Sequence, residues 1–177
     1  VGLTFGLSAY ILWGLFPLYW PLLEPANSFE IVAHRSIWSL VFCLIALVWT
    51  KKLTSTIALL KNRKILGTLI LASALISVNW NTYIWATNNN HVVEASLGYY
   101  MNPLMMIAFG VIFLKEKMRN LQWVSVLIAI CGVLILSFDY GHLPWIAFAL
   151  ALSWGSYSLI KKQLGLGALE GLAIETL

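Results

Sequence analysis

The sequence predicts an all-α membrane protein, a polytopic helix bundle, and three observations support this fold class. Of its 177 residues, 60% are hydrophobic and only 10% are charged. A soluble domain carries about 25% charged residues, so this chain lacks the polar surface that keeps a protein in water. Several apolar runs reach the roughly 20 residues that cross a hydrocarbon core of about 30 Å as a helix. Finally, every basic residue except Arg35 lies in alternate loops between these runs.

The apolar runs predict six spans and the opening of a seventh. Short polar turns separate them, and the loop 51–64 predicts a short interfacial helix through 57–60. The predicted spans are Val1–Leu23, Phe29–Thr50, Ile65–Thr87, Glu94–Glu116, Leu121–Phe138 and Leu143–Ile160, with a seventh apolar segment opening near Gly165 and running to Leu177. In the first span, Pro17 should kink or end the helix, because proline lacks an N–H and clashes with the preceding turn.

The distribution of positive charge predicts the orientation. Every Lys and Arg except Arg35 lies in the second, fourth or sixth loop, at 51–64, 115–119 and 161–162. Cytoplasmic loops of membrane proteins carry an excess of these residues. We therefore expect a multi-pass membrane protein with its N-terminus in the cytoplasm, and the family resemblance described below implies that the membrane is the bacterial inner membrane.

Arg35 is the only arginine within a predicted span. A charge inside the membrane is costly and normally faces a partner or a wet cavity, so Arg35 is a candidate binding residue. The alternative is that Arg35, together with Glu30 and His34, lies among lipid headgroups, since Glu30 is close to the start of the span. Both interpretations remain open at this point.

The outer half of the third span carries amides and aromatic residues on more than one face, at Asn79, Trp80, Asn81 and Tyr83 among others. A helix with amides on two sides cannot face lipid all round. The turn 89–91 is so short that the third and fourth spans should be antiparallel neighbours. Asn79 and Tyr83, which share a face, are therefore candidates for an internal site.

The fourth span carries a polar stripe of small and amide residues. Glu94, Gly98 and Asn102 recur every four residues and so share one face, which should be directed at other helices. Pro103 should bend the helix and free backbone carbonyls near mid-membrane. Carbonyls freed there must face protein or a water-filled cavity, so the stripe predicts a pathway.

The two carboxylates that bound this span have different expected roles. Glu94 is either a titratable group of the pathway or a carboxylate stabilised by the dipole at the start of its own helix. Glu116 should mark the cytoplasmic helix end and form an ion pair among the basic residues at 115–119. Neighbouring aromatic rings suit partly apolar organic substrates. Those expected in a cavity are Trp80, Tyr83, Tyr99 and Tyr100.

These residues resemble the EamA-type repeat of the drug/metabolite transporter superfamily, most closely its RarD branch, a name associated with chloramphenicol sensitivity. The matching motifs occur in family order over nearly the whole chain. They are Trp13-Gly14, His34-Arg35-x-x-Trp38-Ser39, Asn79-Trp80, Ile84-Trp85-Ala86, Glu94-Ala95-Ser96-Leu97-Gly98-Tyr99-Tyr100, Asn102-Pro103-Leu104 and Cys131-Gly132-Val133. The resemblance implies a ten-helix transporter of two five-helix repeats. On that basis residues 1–138 form the first repeat, residues 143–177 begin the second, and the chain is a fragment.

An internal echo agrees with a second repeat. The pair Trp13-Gly14 recurs as Trp154-Gly155. Five predicted spans separate the two copies, so the second copy enters the membrane from the opposite side. Such an inverted repeat is typical of secondary transporters. With a shift of one residue, Glu30 and Arg35 fall beside Glu170 and Glu175.

No catalytic constellation is evident in the sequence. His91 and Glu94 lack the second histidine of a zinc motif, and the glycines lie in apolar helices rather than in a phosphate-binding loop. Cys43 and Cys131 both sit in apolar runs, which favours packing over a disulfide or metal role. The net charge of +4 does not form a patch that would bind nucleic acid. We therefore predict no enzymatic activity, no cofactor and no metal.

The sequence thus predicts a secondary transporter that moves small organic metabolites or drug-like molecules by alternating access. A non-transporting structural subunit or a passive pore is the alternative. Homodimerisation and coupling to protons or to a counter-substrate remain open. The predicted substrate-binding residues, near the midplane and with Pro103 as the bend, are Arg35, Asn79, Tyr83, Glu94, Tyr99 and Asn102.

Overall fold

The computed structural model describes residues 2–139, 141 and 143–177, and most of them are helical. Within these ranges no residue belongs to a β-strand, so the predicted all-α class is confirmed. A 3₁₀ turn, Trp20–Leu23, follows the first helix. The helices are α1 Gly2–Tyr19, α2 Ser28–Trp49, α3 Leu53–Leu60, α4 Arg63–Asn88, α5 Val92–Phe113, α6 Asn120–Asp139, α7 Trp145–Leu164 and α8 Ala168–Glu175.

Five helices are long and apolar enough to cross a membrane: α1 with its 3₁₀ turn, α2, α4, α5 and α6. The predicted sixth span, α7, is not among them although it has 20 residues. Its second half contains serines, a tyrosine and two lysines. Residues along its first half, from Ile146 to Gly155, are largely buried against other helices. A helix enclosed by neighbours needs little lipid-facing surface, so α7 can carry polar residues in its second half.

Local signals explain where several helices begin and end. The side chain of Asn27 accepts a hydrogen bond from the Glu30 N–H at 2.9 Å and so caps α2. As predicted, α1 ends soon after Pro17, giving way to the 3₁₀ turn. The predicted span to Glu116 was too long, since α5 ends at Phe113. Lys115 has a positive φ of 54°, which stops the helix before Glu116.

Small residues bring α5 and α7 into close contact. A Cβ added at Gly98 would lie 3.0 Å from Leu150 Cβ and 3.1 Å from the backbone of Ala147. One added at Gly155 would lie 3.1 Å from the Phe109 ring. An alanine at Gly98 would therefore require the α7 backbone to shift by a few tenths of an ångström. The predicted small-residue face of α5 is directed at another helix, and that helix is α7.

The remaining helices surround this pair. α4 packs against α7 on another side, and α8 packs against α2 through Cys43, Leu47 and Ala173. The 3₁₀ turn joins α1 to α2 and α4 through a cluster of Trp20, Ile31 and other apolar residues. Much of the surface of α1 and α6 consists of exposed apolar side chains. Such faces suit contact with lipid.

Candidate functional site

Two cavities lie on either side of α1. The first, which we call the arginine cavity, has a volume of about 810 Å³ and lies between α1 with its 3₁₀ turn, α2 and α8. The second, the tyrosine cavity, has a volume of about 460 Å³ and lies between α1, α4, α5 and α7. Both volumes fall within the range of pockets that hold small organic molecules.

Arg35 lines the arginine cavity. Its guanidinium carbon lies 3.9 Å from the centre of the Trp80 ring, a cation–π contact that holds the side chain inward from α2. No carboxylate among the described residues forms an ion pair with it. Glu30 and His34 also line this cavity, and both are exposed. The charged group is therefore stacked on an aromatic ring of α4 and faces a cavity.

Tyr83, Tyr99, Asn102 and Pro103 meet at the tyrosine cavity. The two tyrosine rings contact edge to face, with centres 5.1 Å apart and planes at 87°. Asn102 is 6% exposed, and its Oδ1 atom has no hydrogen-bond partner among the described residues. Because Pro103 has no N–H, the Tyr99 carbonyl also lacks its usual helical donor. The cavity is thus lined by an amide residue and two tyrosines, next to a helix whose backbone hydrogen bonding is interrupted at Pro103.

Asn79 and Glu94, two further residues predicted to bind substrate, lie against α7. Asn79 is 1% exposed, and its Nδ2 donates to the Leu150 carbonyl and to Ser153 Oγ, each at 3.0 Å. Glu94 is likewise 1% exposed, and its Oε1 accepts a hydrogen bond from the Ile146 N–H at 2.9 Å. Asn79 therefore ties α4 to α7, and Glu94 satisfies an N–H in the first turn of α7.

The six predicted site residues are thus divided among three places. Arg35 lines one cavity, Tyr83, Tyr99 and Asn102 line the other, and Asn79 and Glu94 contact α7. Sequence reasoning did not select Trp13 and Trp154 as site residues, yet both line the tyrosine cavity. Their rings contact each other with centres 6.0 Å apart. The signal that could have found them was present, because these are the two tryptophans of the internal echo.

Glu116 forms an ion pair, as predicted, but with a residue of α7. Its Oε1 accepts a hydrogen bond from Lys162 Nζ at 2.5 Å. Its backbone N–H donates to the Gly110 carbonyl at 3.1 Å. A Cβ at Gly110 would lie 2.8 Å from Glu116 Oε2, so this glycine provides the space in which the carboxylate sits.

Two more ion pairs lie at the basic end of the bundle. Lys52 Nζ and Glu170 Oε1 are 2.8 Å apart, joining the start of α3 to α8. Lys161 Nζ and Glu175 Oε1 are also 2.8 Å apart, and the Tyr157 hydroxyl donates to the other oxygen of Glu175 at 2.9 Å. The sequence echo had set Glu175 beside Arg35, but the two residues have different surroundings in the structure.

In the part of the chain that the structure describes, no three His, Cys, Asp or Glu side chains lie close enough together to share a metal ion. Cys43 is buried and Cys131 is exposed, and neither forms a disulfide with the other.

Comparisons with known proteins agree with one another. The model of the EamA-like transporter family matches residues 1–138. The chain is 51% identical over 175 residues to the protein RarD of Streptomyces exfoliatus, and 49% identical over 179 residues to the uncharacterized transporter YojE of Bacillus subtilis. It is 40% identical over 176 residues to the protein RarD of Escherichia coli. Each match covers 99% of this chain but only 56%, 60% and 60% of the three relatives, in that order. No solved structure matches the chain.

Proposed function

Because the chain belongs to the EamA-like transporter family, we propose that the protein is a secondary transporter of small organic metabolites or drug-like molecules. Its five apolar helices and its similarity to transporters make it a multi-pass membrane protein. We further propose that it lies in a bacterial inner membrane with the N-terminus in the cytoplasm. The distribution of Lys and Arg supports this orientation.

The observation that carries the proposal is the tyrosine cavity. Asn102 and Pro103 lie halfway along α5, and Trp154 lies halfway along α7, so the cavity is near the middle of the bundle. Asn102 lines this cavity, and its buried amide oxygen has no donor among the described residues, which is costly unless water, a ligand or another part of the protein donates to it. Tyr83 and Tyr99 add aromatic surface beside it. A cavity with this lining suits a partly apolar molecule that carries a hydrogen-bond donor.

We propose two repeats, residues 1–138 and a second beginning at 143–177. The contact between Trp13 and Trp154 supports this division. In an inverted repeat, equivalent residues that touch each other must lie close to the symmetry axis. Substrate sites of such transporters lie near the midplane at the interface of the repeats. The two tryptophans line the tyrosine cavity, so the proposed site would be built from both repeats.

Alternating access would then depend on the basic end of the bundle. Here α7 is joined to the segment after α5 by Lys162 and Glu116, and to α8 by Lys161 and Glu175. Opening a pathway between these helices would require such ion pairs to separate. The Lys162–Glu116 pair is exposed, and such pairs are individually weak, so it can close this end without locking it permanently. Glu175 is buried, so separating its pair with Lys161 would cost more.

Counterflow in proteoliposomes tests the proposal. The whole protein as encoded is reconstituted into liposomes, and the liposomes are loaded with an unlabelled candidate metabolite. Uptake of the labelled metabolite is then measured. A transporter should accumulate the label, and its rate of uptake should saturate with concentration. Asn102→Ala should raise KM about threefold to tenfold, the value of one lost hydrogen bond, while the protein still inserts. Asn120→Ala, at the exposed start of α6, is the matched control. Unsaturable flux without counterflow would instead indicate a passive pore. If Asn102→Ala lowers the stability of the protein and no flux is detected even in the wild type, the protein would instead be a structural subunit.

A further inference from the structure

Two residues that line the arginine cavity, Arg35 and Trp20, carry hydrogen-bond donors for which the described residues supply no acceptor. Arg35 has no carboxylate partner in the described part of the chain, and it lines this cavity. Trp20 lines the same cavity, is 4% exposed, and its indole Nε1 has no hydrogen-bond partner among the described residues. Arg35 therefore presents guanidinium donors to the cavity, and no carboxylate of the described residues forms an ion pair with them. An acceptor on a bound ligand would satisfy these donors.

Stacking on Trp80 leaves the guanidinium of Arg35 able to bind a ligand. The guanidinium carbon lies over the Trp80 ring at 3.9 Å from the ring centre, a distance that suits face-to-face stacking. The five N–H donors of arginine point outward in the plane of the group, so a stacked guanidinium keeps them available. This planar set matches the two oxygens of a carboxylate. The chemistry of the site therefore favours an oxyanion over a neutral carbonyl.

The other walls of the arginine cavity are mostly aromatic. They include Phe16, Tyr19, Trp38 and Phe42, with Leu172 contributed by α8. Large flat side chains of this kind suit an aromatic or otherwise apolar molecule. The cavity thus combines a cation with apolar surface, which is the complement of an organic acid.

The single carboxylate that lines the cavity is placed away from Arg35. Glu30 is exposed in the first turn of α2, and it forms no ion pair in the described structure. Five residues of helix separate the two groups, about 7.5 Å along the axis. An anion bound at Arg35 would therefore lie deeper than Glu30, which remains at the mouth.

We infer that the arginine cavity binds the carboxylate of an aromatic or apolar organic acid, with the guanidinium of Arg35 as the donor. This inference rests on the proposed transport function and names a substrate class for it. The acid would enter past Glu30 and place its ring among the aromatic walls.

The test compares three molecules that share one ring and differ in charge: phenylacetate, phenylacetamide and phenethylamine. Each is titrated against the whole protein in nanodiscs of zwitterionic lipid, and the shift in melting temperature is followed with concentration. Phenylacetate should stabilise the protein at concentrations at least tenfold lower than the amide, and the amine should not stabilise it. Loss of a hydrogen bond to a charged group corresponds to about tenfold to hundredfold in affinity.

Three variants test whether Arg35 is the residue that binds the carboxylate of phenylacetate. Arg35→Gln should weaken phenylacetate about tenfold to hundredfold and leave the amide unchanged, whereas Arg35→Lys should retain part of the preference. Glu30→Gln, in the same cavity, should leave phenylacetate binding unchanged or tighten it. The melting temperature of each variant without ligand shows whether it is folded.

Equal stabilisation by the acid and the amide, no stabilisation by the acid, or an unchanged response in Arg35→Gln would each overturn the inference. So would loss of the phenylacetate effect when anionic lipid is added to the nanodiscs, since the cavity would then hold a lipid headgroup. Counterflow with a neutral substrate would still support transport in all these cases. The substrate class and the transport function therefore fail separately.

Discussion

Replacing Glu94 tests whether this carboxylate stabilises the fold by binding α7. The side chain is 1% exposed, and its Oε1 accepts a hydrogen bond from the Ile146 N–H at 2.9 Å. Glu94→Ala removes a hydrogen bond involving a charged group and leaves a buried N–H without an acceptor, so it should lower the free energy of unfolding by about 2–4 kcal/mol. Glu94→Gln retains an oxygen at this position. It should lose only the interaction of the charge with the helix N-terminus, about 0.3–1 kcal/mol.

The assay is equilibrium unfolding of the whole protein in mixed micelles, followed by circular dichroism as the fraction of SDS rises. Glu24 provides the matched control. It lies in the turn 24–28, is exposed, and its side chain forms no hydrogen bond or ion pair within the described residues. Glu24→Ala should therefore leave the unfolding midpoint unchanged. The order of stability should be wild type and Glu24→Ala, then Glu94→Gln, then Glu94→Ala.

The same variants separate a structural role from a role in transport. If Glu94 acts by holding α7, flux per folded molecule should be similar in wild type and Glu94→Gln. If Glu94→Ala is as stable as the control, the assigned hydrogen bond does not contribute and the reasoning is refuted. If Glu94→Gln abolishes flux at unchanged stability, the carboxylate belongs to the transport pathway.

Three further predictions concern contacts at α7 and are measured in the same assay. Gly98→Ala should lower the free energy of unfolding by about 1–3 kcal/mol, because the new methyl group would press on the α7 backbone. Gly67 has open space around it, so Gly67→Ala should not lower the free energy of unfolding. Equal effects of the two would contradict the close packing. Asn79→Ala should lower the free energy of unfolding by about 0.6 kcal/mol, and by about 1.7 kcal/mol at most. These values are the average and the maximum for hydrogen bonds between membrane helices. Lys162→Gln breaks the exposed pair with Glu116 and should change stability by less than about 1 kcal/mol, with an effect that shrinks at high salt.

The sequence predicted the fold class and most helix positions because these depend on local composition. Runs of about 20 apolar residues are sufficient to identify α1, α2, α4, α5 and α6. The end of α5 was placed three residues too far along, since nothing in the residue type of Lys115 signals its positive φ. Helix ends that depend on a non-glycine residue in this conformation give only a weak sequence signal.

The partners of the polar residues were harder to predict than their burial. The spacing of Glu94, Gly98 and Asn102 correctly indicated a buried face of α5. Whether such a side chain faces a cavity or another helix depends on which helix packs there. The enclosing helix is α7, more than 50 residues away from Glu94 in the chain, and the sequence gives no direct measure of that pairing. Lys162 could not be identified as the partner of Glu116 for the same reason.

The residues that contact α7 and the residues that line the tyrosine cavity are connected, because α7 itself forms part of the cavity wall. Trp154 contributes a wall of that cavity, and it is carried by α7. Asn79 contacts α7 one turn before Trp154, while Glu94 fixes the start of the same helix. A shift of α7 would therefore move Trp154 relative to Asn102 and change the cavity. Asn79 and Glu94 can influence substrate binding without contacting the substrate, because they hold α7 in position and α7 forms one wall of the tyrosine cavity.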